Sequence, residues 1–413
     1  EAMARVSHAA AASFLDVALI LLDKTGMEGL SKMNALGMEM ARGSWETASR
    51  LLLKSPALID RIGMDGMKMI GDFATAVAAE SWSAAAQLLD KCPAIIDGLL
   101  KVGDASLITR VCHLGGRIAK YNARMAVSLL DRSPEIIRLS GFDGLEKLED
   151  LAHQTGKESW TTAVSLLETS PRILERVGFE GLNQITDLAR HVARQNSYGA
   201  VSLLEKSPDL IDRLLKHGDA SLALRVYGYA AQTADRDWIL ASALMEESPA
   251  LLSRIGAEVL SRVFVLIRRA ARDNANIAKR LLDVSPAVID RVGFEGLEIV
   301  SQCAFIIGEK DGQAAVAVLE KSPLLMDRLD HAGDRAISPA IYGLAAMVAR
   351  TSVAAAVKLL DKSPEFIHWA GLEGFGMIAS FVENTAKEDE EKALSFLAGD
   401  SPAFSDFMEG IPK

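Results

Sequence analysis

The stretch "SPRILERVGFEGLNQITDLARHVARQNSYGAVSLLEKS", residues 170–207, decides the fold because versions of it recur along the whole chain. Ser170 is a natural helix N-cap and Pro171 suits the first helical position, where its missing N–H costs nothing. Gly178 suits the left-handed end of a helix, and the apolar residues of Leu182–Val192 follow the i, i+3, i+4, i+7 spacing of a helical stripe. The unit therefore predicts three helices, in a short, long, medium order typical of armadillo repeats.

Prolines that follow Ser or Cys set the repeat length. Their spacings are 37, 41, 37, 37, 41, 37, 37, 41 and 38 residues, so every third unit is longer and the chain also repeats at 115. We predict an all-α, armadillo/HEAT-like right-handed α-solenoid of about ten 37–41-residue repeats, each sheltered by its neighbours. These prolines are Pro56, Pro93, Pro134, Pro171, Pro208, Pro249, Pro286, Pro323, Pro364 and Pro402.

The whole chain, residues 1–413, is predicted to be one solenoid with atypical ends. Residues 1–54 form an N-terminal capping repeat whose "LLDKTGMEGL", residues 21–30, omits the Ser-Pro helix. Residues 55–401 form nine Ser-Pro-initiated repeats, and residues 402–413 are a partial repeat that either closes the stack or continues in a longer protein. The four extra residues of each long unit approximate one helical turn, so we expect them to lengthen a helix.

The charge balance and the cysteine content of the chain disfavour some classes of function. The chain has 45 Lys and Arg against 55 Asp and Glu, a net charge of −10, which disfavours nucleic-acid binding. A local basic stripe at Arg262, Arg268, Arg269 and Arg272 keeps that alternative open. Three scattered cysteines indicate a reducing cytosol. No apolar stretch reaches the length of a membrane span, and no export signal begins the chain, so we expect a cytoplasmic protein without membrane contact.

No pattern in the sequence indicates an enzyme, a metal site or a cofactor site. Six Gly-x-x-Gly pairs could each be a phosphate cradle, but their repetition favours turn punctuation. The recurring Asp-Arg pairs favour salt bridges along the array over converging acid–base groups. The seven histidines lack metal-ligand spacing. The recurring Asp-Arg pairs begin at Asp60, Asp212, Asp290 and Asp327.

Two recurring features are candidate partner-binding residues. Tryptophans stand eleven residues before a repeat proline and open a helix, where they could form a binding ridge or, as we favour, wedge between repeats. Gly-Asp loops occur only in the long units, where they could project toward a partner or act only as helix caps. The candidates are Trp45, Trp82, Trp160 and Trp238, with Gly103, Asp104, Gly218, Asp219, Gly333 and Asp334.

The phrase "SPxLIDRxGxEGL…SWxxAxxLLxKSP", seen in residues 55–93 and 133–171, resembles the helical repeats of bacterial activator proteins that carry a von Willebrand A domain. Those of the nitric-oxide-reductase- and Rubisco-activating type are adaptors for MoxR-class AAA+ ATPases. The resemblance covers nearly the whole chain but assigns no catalytic residue, and this sequence has neither the von Willebrand A domain nor its DxSxS motif. It implies a AAA+ ATPase as a possible partner.

The sequence therefore favours a non-catalytic, cytoplasmic scaffold or adaptor that binds a protein or peptide on the solenoid surface. A nucleic-acid-binding helical-repeat protein is the alternative, and an enzyme would need convergent polar groups in a pocket. Neither the partner nor the oligomeric state follows from the sequence.

Overall fold

The structure, a computed structural model, describes residues 2–103, 105–330 and 337–399, and all regular structure in these ranges is helical. The predicted all-α helical-repeat solenoid is confirmed. Its helices are α1 (Ala2–Val6), α2 (His8–Ala41), α3 (Trp45–Ala78), α4 (Trp82–Val102), α5 (Ala105–Ala119), α6 (Ala123–Glu158), α7 (Trp160–Gln195), α8 (Ser197–Leu215), α9 (Ala220–Ala234), α10 (Trp238–Asp273), α11 (Ala275–Gly308), α12 (Gly312–Asp330), α13 (Ile337–Thr351), α14 (Val353–Glu388) and α15 (Glu390–Ala398).

Contacts divide the chain into two compact units, Glu1–Asp212 and Arg213–Lys413. Within each unit, helices contact those of the next repeat, as α4 contacts α6 and α12 contacts α14. Leu, Ile, Val and Ala side chains of these faces form the buried core. Each repeat is therefore stabilised by its neighbours, as expected of a solenoid.

Each repeat consists of two helices, which we call A and B. The A helix begins after a Ser, Asn or Asp whose side chain accepts hydrogen bonds from backbone N–H groups of the first turn, the preferred N-cap chemistry. This cap lies twelve residues before the repeat proline in nine repeats. The nine caps are Ser44, Ser81, Asn122, Ser159, Asn196, Asp237, Asn274, Asp311 and Ser352.

The prediction that each Ser-Pro pair opens a helix is wrong. Pro171 lies inside α7, and the A helix continues past it to Gly178, whose φ of 66° interrupts the helix before B begins. The medium helix at the end of one predicted unit and the short helix that opens the next are thus one A helix. The predicted boundary between units falls inside this helix. Two helices per repeat are typical of HEAT repeats, whereas armadillo repeats have three.

The serine before the proline explains why a helix tolerates proline there. Proline lacks the N–H that would bond the carbonyl four residues earlier. In α7 the buried Ser170 hydroxyl donates instead to that carbonyl, Leu167 O, at 2.9 Å. Three other serines also donate to the carbonyl four residues before the proline, and these are Ser55, Ser133 and Ser363. Four further serines donate to the carbonyl five residues before the proline, and these are Ser207, Ser248, Ser285 and Ser322.

The first repeat does not lack the A helix, which corrects a second prediction. Ser7 caps α2, and Gly26 interrupts it at φ 68° as Gly178 interrupts α7. Residues 8–25 are therefore an A helix in which Ala18-Leu19 replaces Ser-Pro. This A helix was not predicted because it lacks the proline that marks the other repeats.

The long repeats place their extra residues between A and B. In the first, α4 extends to Val102 and α5 begins at Ala105, so the insertion lengthens the helix as predicted. In the second, α8 ends at Leu215 and residues 216–219 form a turn before α9. The corresponding residues of the third, 331–336, lie outside the described residues.

Candidate peptide-binding surfaces

The four candidate tryptophans each open an A helix, as the sequence predicted. Trp82 lies flat on the turn that precedes α3, since a Cβ added to Gly43 would be 1.7 Å from the ring. Trp160 packs in the same way on Gly156 of the preceding helix. Trp238 is half-buried, whereas Trp45 is 56% exposed. The structure therefore uses Trp82 and Trp160 as wedges, and a role for any of the four in partner binding stays a prediction.

The Gly-Asp loops act as helix caps where they are described. Gly103 is the C-cap of α4, and its N–H donates to Leu99 O at 2.9 Å. Gly218 lies in the turn after α8, and Asp219 caps α9 by accepting from the N–H of Leu222 at 2.8 Å. These hydrogen bonds lower the pKa of Asp219. Asp104, Gly333 and Asp334 lie outside the described residues, so partner binding by these loops stays a prediction.

The Asp-Arg pairs form a ladder of salt bridges between repeats, as predicted. An arginine five residues after the proline of one repeat binds an aspartate four residues after the next proline. Such exposed pairs each contribute about 0–1 kcal/mol to stability, so the ladder stabilises the contact between A helices only modestly. The pairs are Arg61–Asp97, Arg176–Asp212, Arg254–Asp290 and Arg291–Asp327.

The three cysteines, Cys92, Cys112 and Cys303, are buried in the core. Burial raises the pKa of Cys112 and Cys303 to about 12 and raises the pKa of Cys92 as well, so these thiols are poor nucleophiles at neutral pH. Among the described residues, no group of three or more His, Cys, Asp or Glu side chains could hold a metal ion.

Arginines of the proposed basic stripe are partly engaged within the protein. The Arg262 guanidinium lies 4.0 Å from the ring centroid of Phe294, and Arg269 lies 5.5 Å from that of Phe305. Arg268 donates to Gln232 at 2.5 Å. Cation–π contacts of this kind connect neighbouring B helices, so these side chains already have a structural role.

A groove of about 620 Å³ crosses the B helices of the unit Glu1–Asp212. It lies between the B helix of α3, the helix α5 and the B helix of α6, so three consecutive repeats contribute to it. Phe73 and Phe142 supply apolar walls. Gly116 of α5 leaves one wall without a side chain, and a Cβ added there would touch only Phe73, at 4.0 Å.

The groove combines aromatic surface with three cations and two carboxylates. Arg110 stacks 3.6 Å from the Phe142 centroid, which fixes the guanidinium over the ring. Arg117 binds Glu149 at 2.7 Å, and burial of that carboxyl raises its pKa despite the nearby arginine. The remaining charged lining groups are Lys120, Asp72 and Glu146, with His113 beside them. An apolar segment with acidic side chains complements this surface.

Sequence reasoning missed the groove, although a comparison of the three long repeats contains a signal. The 115-residue period aligns Cys112-His113 with Tyr227-Gly228 and Tyr342-Gly343. A cysteine side chain is much smaller than a tyrosine ring, and Cys112 lines the groove. Cys112 and the two tyrosines are all buried, so the difference at the groove surface is His113, which replaces a glycine in the other two long repeats.

No family model, curated protein or solved structure matches this chain. None of the described helices is both long enough and apolar enough to cross a lipid bilayer.

Proposed function

We propose that the protein is a non-catalytic cytosolic scaffold that binds an extended segment of a partner protein in the groove of α3, α5 and α6. The single observation that carries the proposal is the groove itself, an open apolar channel lined by Arg110, Arg117 and Lys120. Aromatic and arginine side chains are the residue types enriched where protein interfaces gain their energy. An acidic, apolar peptide is the occupant with matching chemistry.

The groove is suited to a peptide rather than to a nucleic-acid backbone. Its three cations are offset by Asp72 and Glu146 within the same lining, and a phosphate backbone needs several uncompensated cations. Binding to a peptide should weaken only modestly with salt, whereas binding to random duplex DNA would fall steeply and linearly on a logarithmic scale.

A display selection of random twelve-residue peptides on the full chain tests the proposal. We expect an acidic consensus with an aromatic or aliphatic residue. The Arg110→Glu variant should bind the selected peptide about tenfold more weakly, because it places a negative charge against an acidic ligand. Arg225→Glu is the matched control, since Arg225 stands 115 residues later in α9. Equal affinity of both variants, each with unchanged helicity by circular dichroism, would show that the groove is not the binding site.

The resemblance to activator repeats supports a AAA+ ATPase as the partner class. Co-migration of the chain with a purified MoxR-class ATPase in size-exclusion chromatography tests this separately. The same Arg110→Glu and Arg225→Glu variants then show whether the groove makes the contact. A selected peptide with no ATPase binding would leave the scaffold proposal in place and reject this partner.

A further inference from the structure

A second cavity lies between the A helices of two repeats in the unit Arg213–Lys413. It is a cleft of about 260 Å³ between α12 and α14, with Tyr342 of α13 at its base. Val318, Leu325, Val357 and Leu360 supply apolar walls. Leu324, 57% exposed, lies at the opening. The cleft therefore offers apolar surface that opens to solvent.

The equivalent helices of the other unit close this space. Two super-periods earlier, Gly98 of α4 packs against Pro134 of α6 so closely that an added Cβ would lie 2.9 Å from the proline Cβ. At the corresponding position α12 has Arg328, facing the repeat of Pro364. Arginine stands at this position in most repeats, as at Arg176 and Arg213, so Gly98 is the exception that lets α4 and α6 approach closely. The α12–α14 pair, which has Arg328 there, lacks this close glycine contact.

Arg328 is also a cation that the salt-bridge ladder does not use. It stands five residues after Pro323, so its ladder partner would stand four residues after Pro364, where the sequence has His368 instead of aspartate. Over the part of the chain that the structure describes, no carboxylate forms a salt bridge with Arg328. The other charged groups at the cleft, Lys321 and Asp361, neutralise each other at 2.9 Å. Among the described side chains of the rim, Arg328 is therefore the cation without a salt-bridge partner.

The polar groups at the base of the cleft already have hydrogen-bond partners within the protein. The Tyr342 hydroxyl donates to Ser322 Oγ at 2.7 Å, and that serine donates to Val318 O at 2.7 Å. Both hydroxyl groups are buried and already hydrogen-bonded, so the interior of the cleft favours an apolar group. Polar recognition is left to the rim.

Size decides what kind of apolar group can enter. Pockets for whole small molecules usually measure about 300–1,000 Å³, and this cleft is smaller. We propose that the α12–α14 cleft binds one aliphatic side chain of a peptide whose carboxylate pairs with Arg328. This inference rests on the proposed function in that the occupant is a peptide, but the site, its residues and its unit are different from those of the groove.

Titration of the methyl-labelled full chain with N-acetyl-leucine, followed by NMR, tests the proposal. We expect shifts at the methyl groups of Leu324, Leu325 and Val357. N-acetyl-leucinamide, which lacks the carboxylate, should bind about threefold to fivefold more weakly, the range expected for an exposed charge pair. Arg328→Gln should reduce the affinity for the acid to that for the amide.

Two further variants make the outcome decisive. Arg272→Gln removes an exposed arginine from α10 of the same unit and should leave both affinities unchanged. Ala317→Phe fills the cleft and should abolish binding while the thermal midpoint stays the same or rises. Equal binding of acid and amide, an unchanged Arg328→Gln affinity in a folded variant, or no methyl shifts at all would each overturn the proposal. None of these results involves Arg110, so the peptide selection on the groove would still stand or fall separately.

Discussion

At the scale of single residues, the serine before a repeat proline does not cap a helix, although the sequence predicted that it would. A Ser-Pro pair is a normal sign of a helix start, because serine caps and proline begins helices. In four repeats the serine side chain instead donates to the carbonyl that the missing proline N–H leaves unpaired. The real caps stand twelve residues before the proline as Ser, Asn or Asp. The sequence alone did not favour one position over the other, since both satisfy the rules for caps.

This role of serine predicts a coupling between Ser170 and Pro171. Ser170→Ala should lower the free energy of unfolding by about 1–3 kcal/mol, because it leaves the buried Leu167 carbonyl without a donor. In a Pro171→Ala background the restored N–H can bond that carbonyl, so the same serine change should cost at least about 1 kcal/mol less. Guanidinium denaturation of the four chains measures the coupling. Equal costs in the two backgrounds would show that the hydroxyl does not replace the proline N–H.

At the scale of elements, the repeat length, the helical class and the glycine at the end of each A helix could all be predicted from the sequence. The number of helices per repeat could not. Apolar periodicity is the same before and after an internal proline, so the pattern gave no reason to continue the A helix past Pro171. The groove did not follow from the repeat pattern because its lining differs between repeats, as at His113, and a pattern of shared residues does not contain such differences.

The glycine that separates A from B predicts opposite effects of one substitution at two sites. Gly178 has a φ of 66°, which other residues adopt at a cost, so Gly178→Ala should destabilise the protein by about 1–2 kcal/mol. Gly228 lies within α9, has no positive φ, and a Cβ there would meet nothing within 4 Å. Gly228→Ala should therefore stabilise by about 0.5–1 kcal/mol. Denaturation midpoints at constant m-value compare the two. Destabilisation by both changes would mean that α9 needs a glycine for another reason.

At the scale of the whole molecule, the two candidate binding cavities lie within an otherwise regular array. Regular positions, such as the serines and the ladder pairs, stabilise contacts between neighbours. His113 replaces the glycine of the other two long repeats, Arg328 faces His368 where the ladder would have an aspartate, and each lies at a cavity. Because a repeat contacts mainly its neighbours, such changes can alter one surface without disturbing distant repeats. The super-period therefore gives each of these surfaces three equivalent positions in the sequence, which can vary independently.

The same modularity predicts that one complete super-period can be removed. Deletion of residues 171–285 joins Ser170 to Pro286, which recreates a Ser-Pro pair within an A helix and keeps every later residue in register. The shortened chain should retain the parent's helicity per residue by circular dichroism and unfold cooperatively in guanidinium. Deletion of residues 171–280 is the matched control, because it shifts the joined helix by five residues and turns its apolar face away from the neighbouring repeats. A shortened chain that is as disordered as this control would show that the repeats are not interchangeable modules, and the argument from neighbour contacts would fail with it.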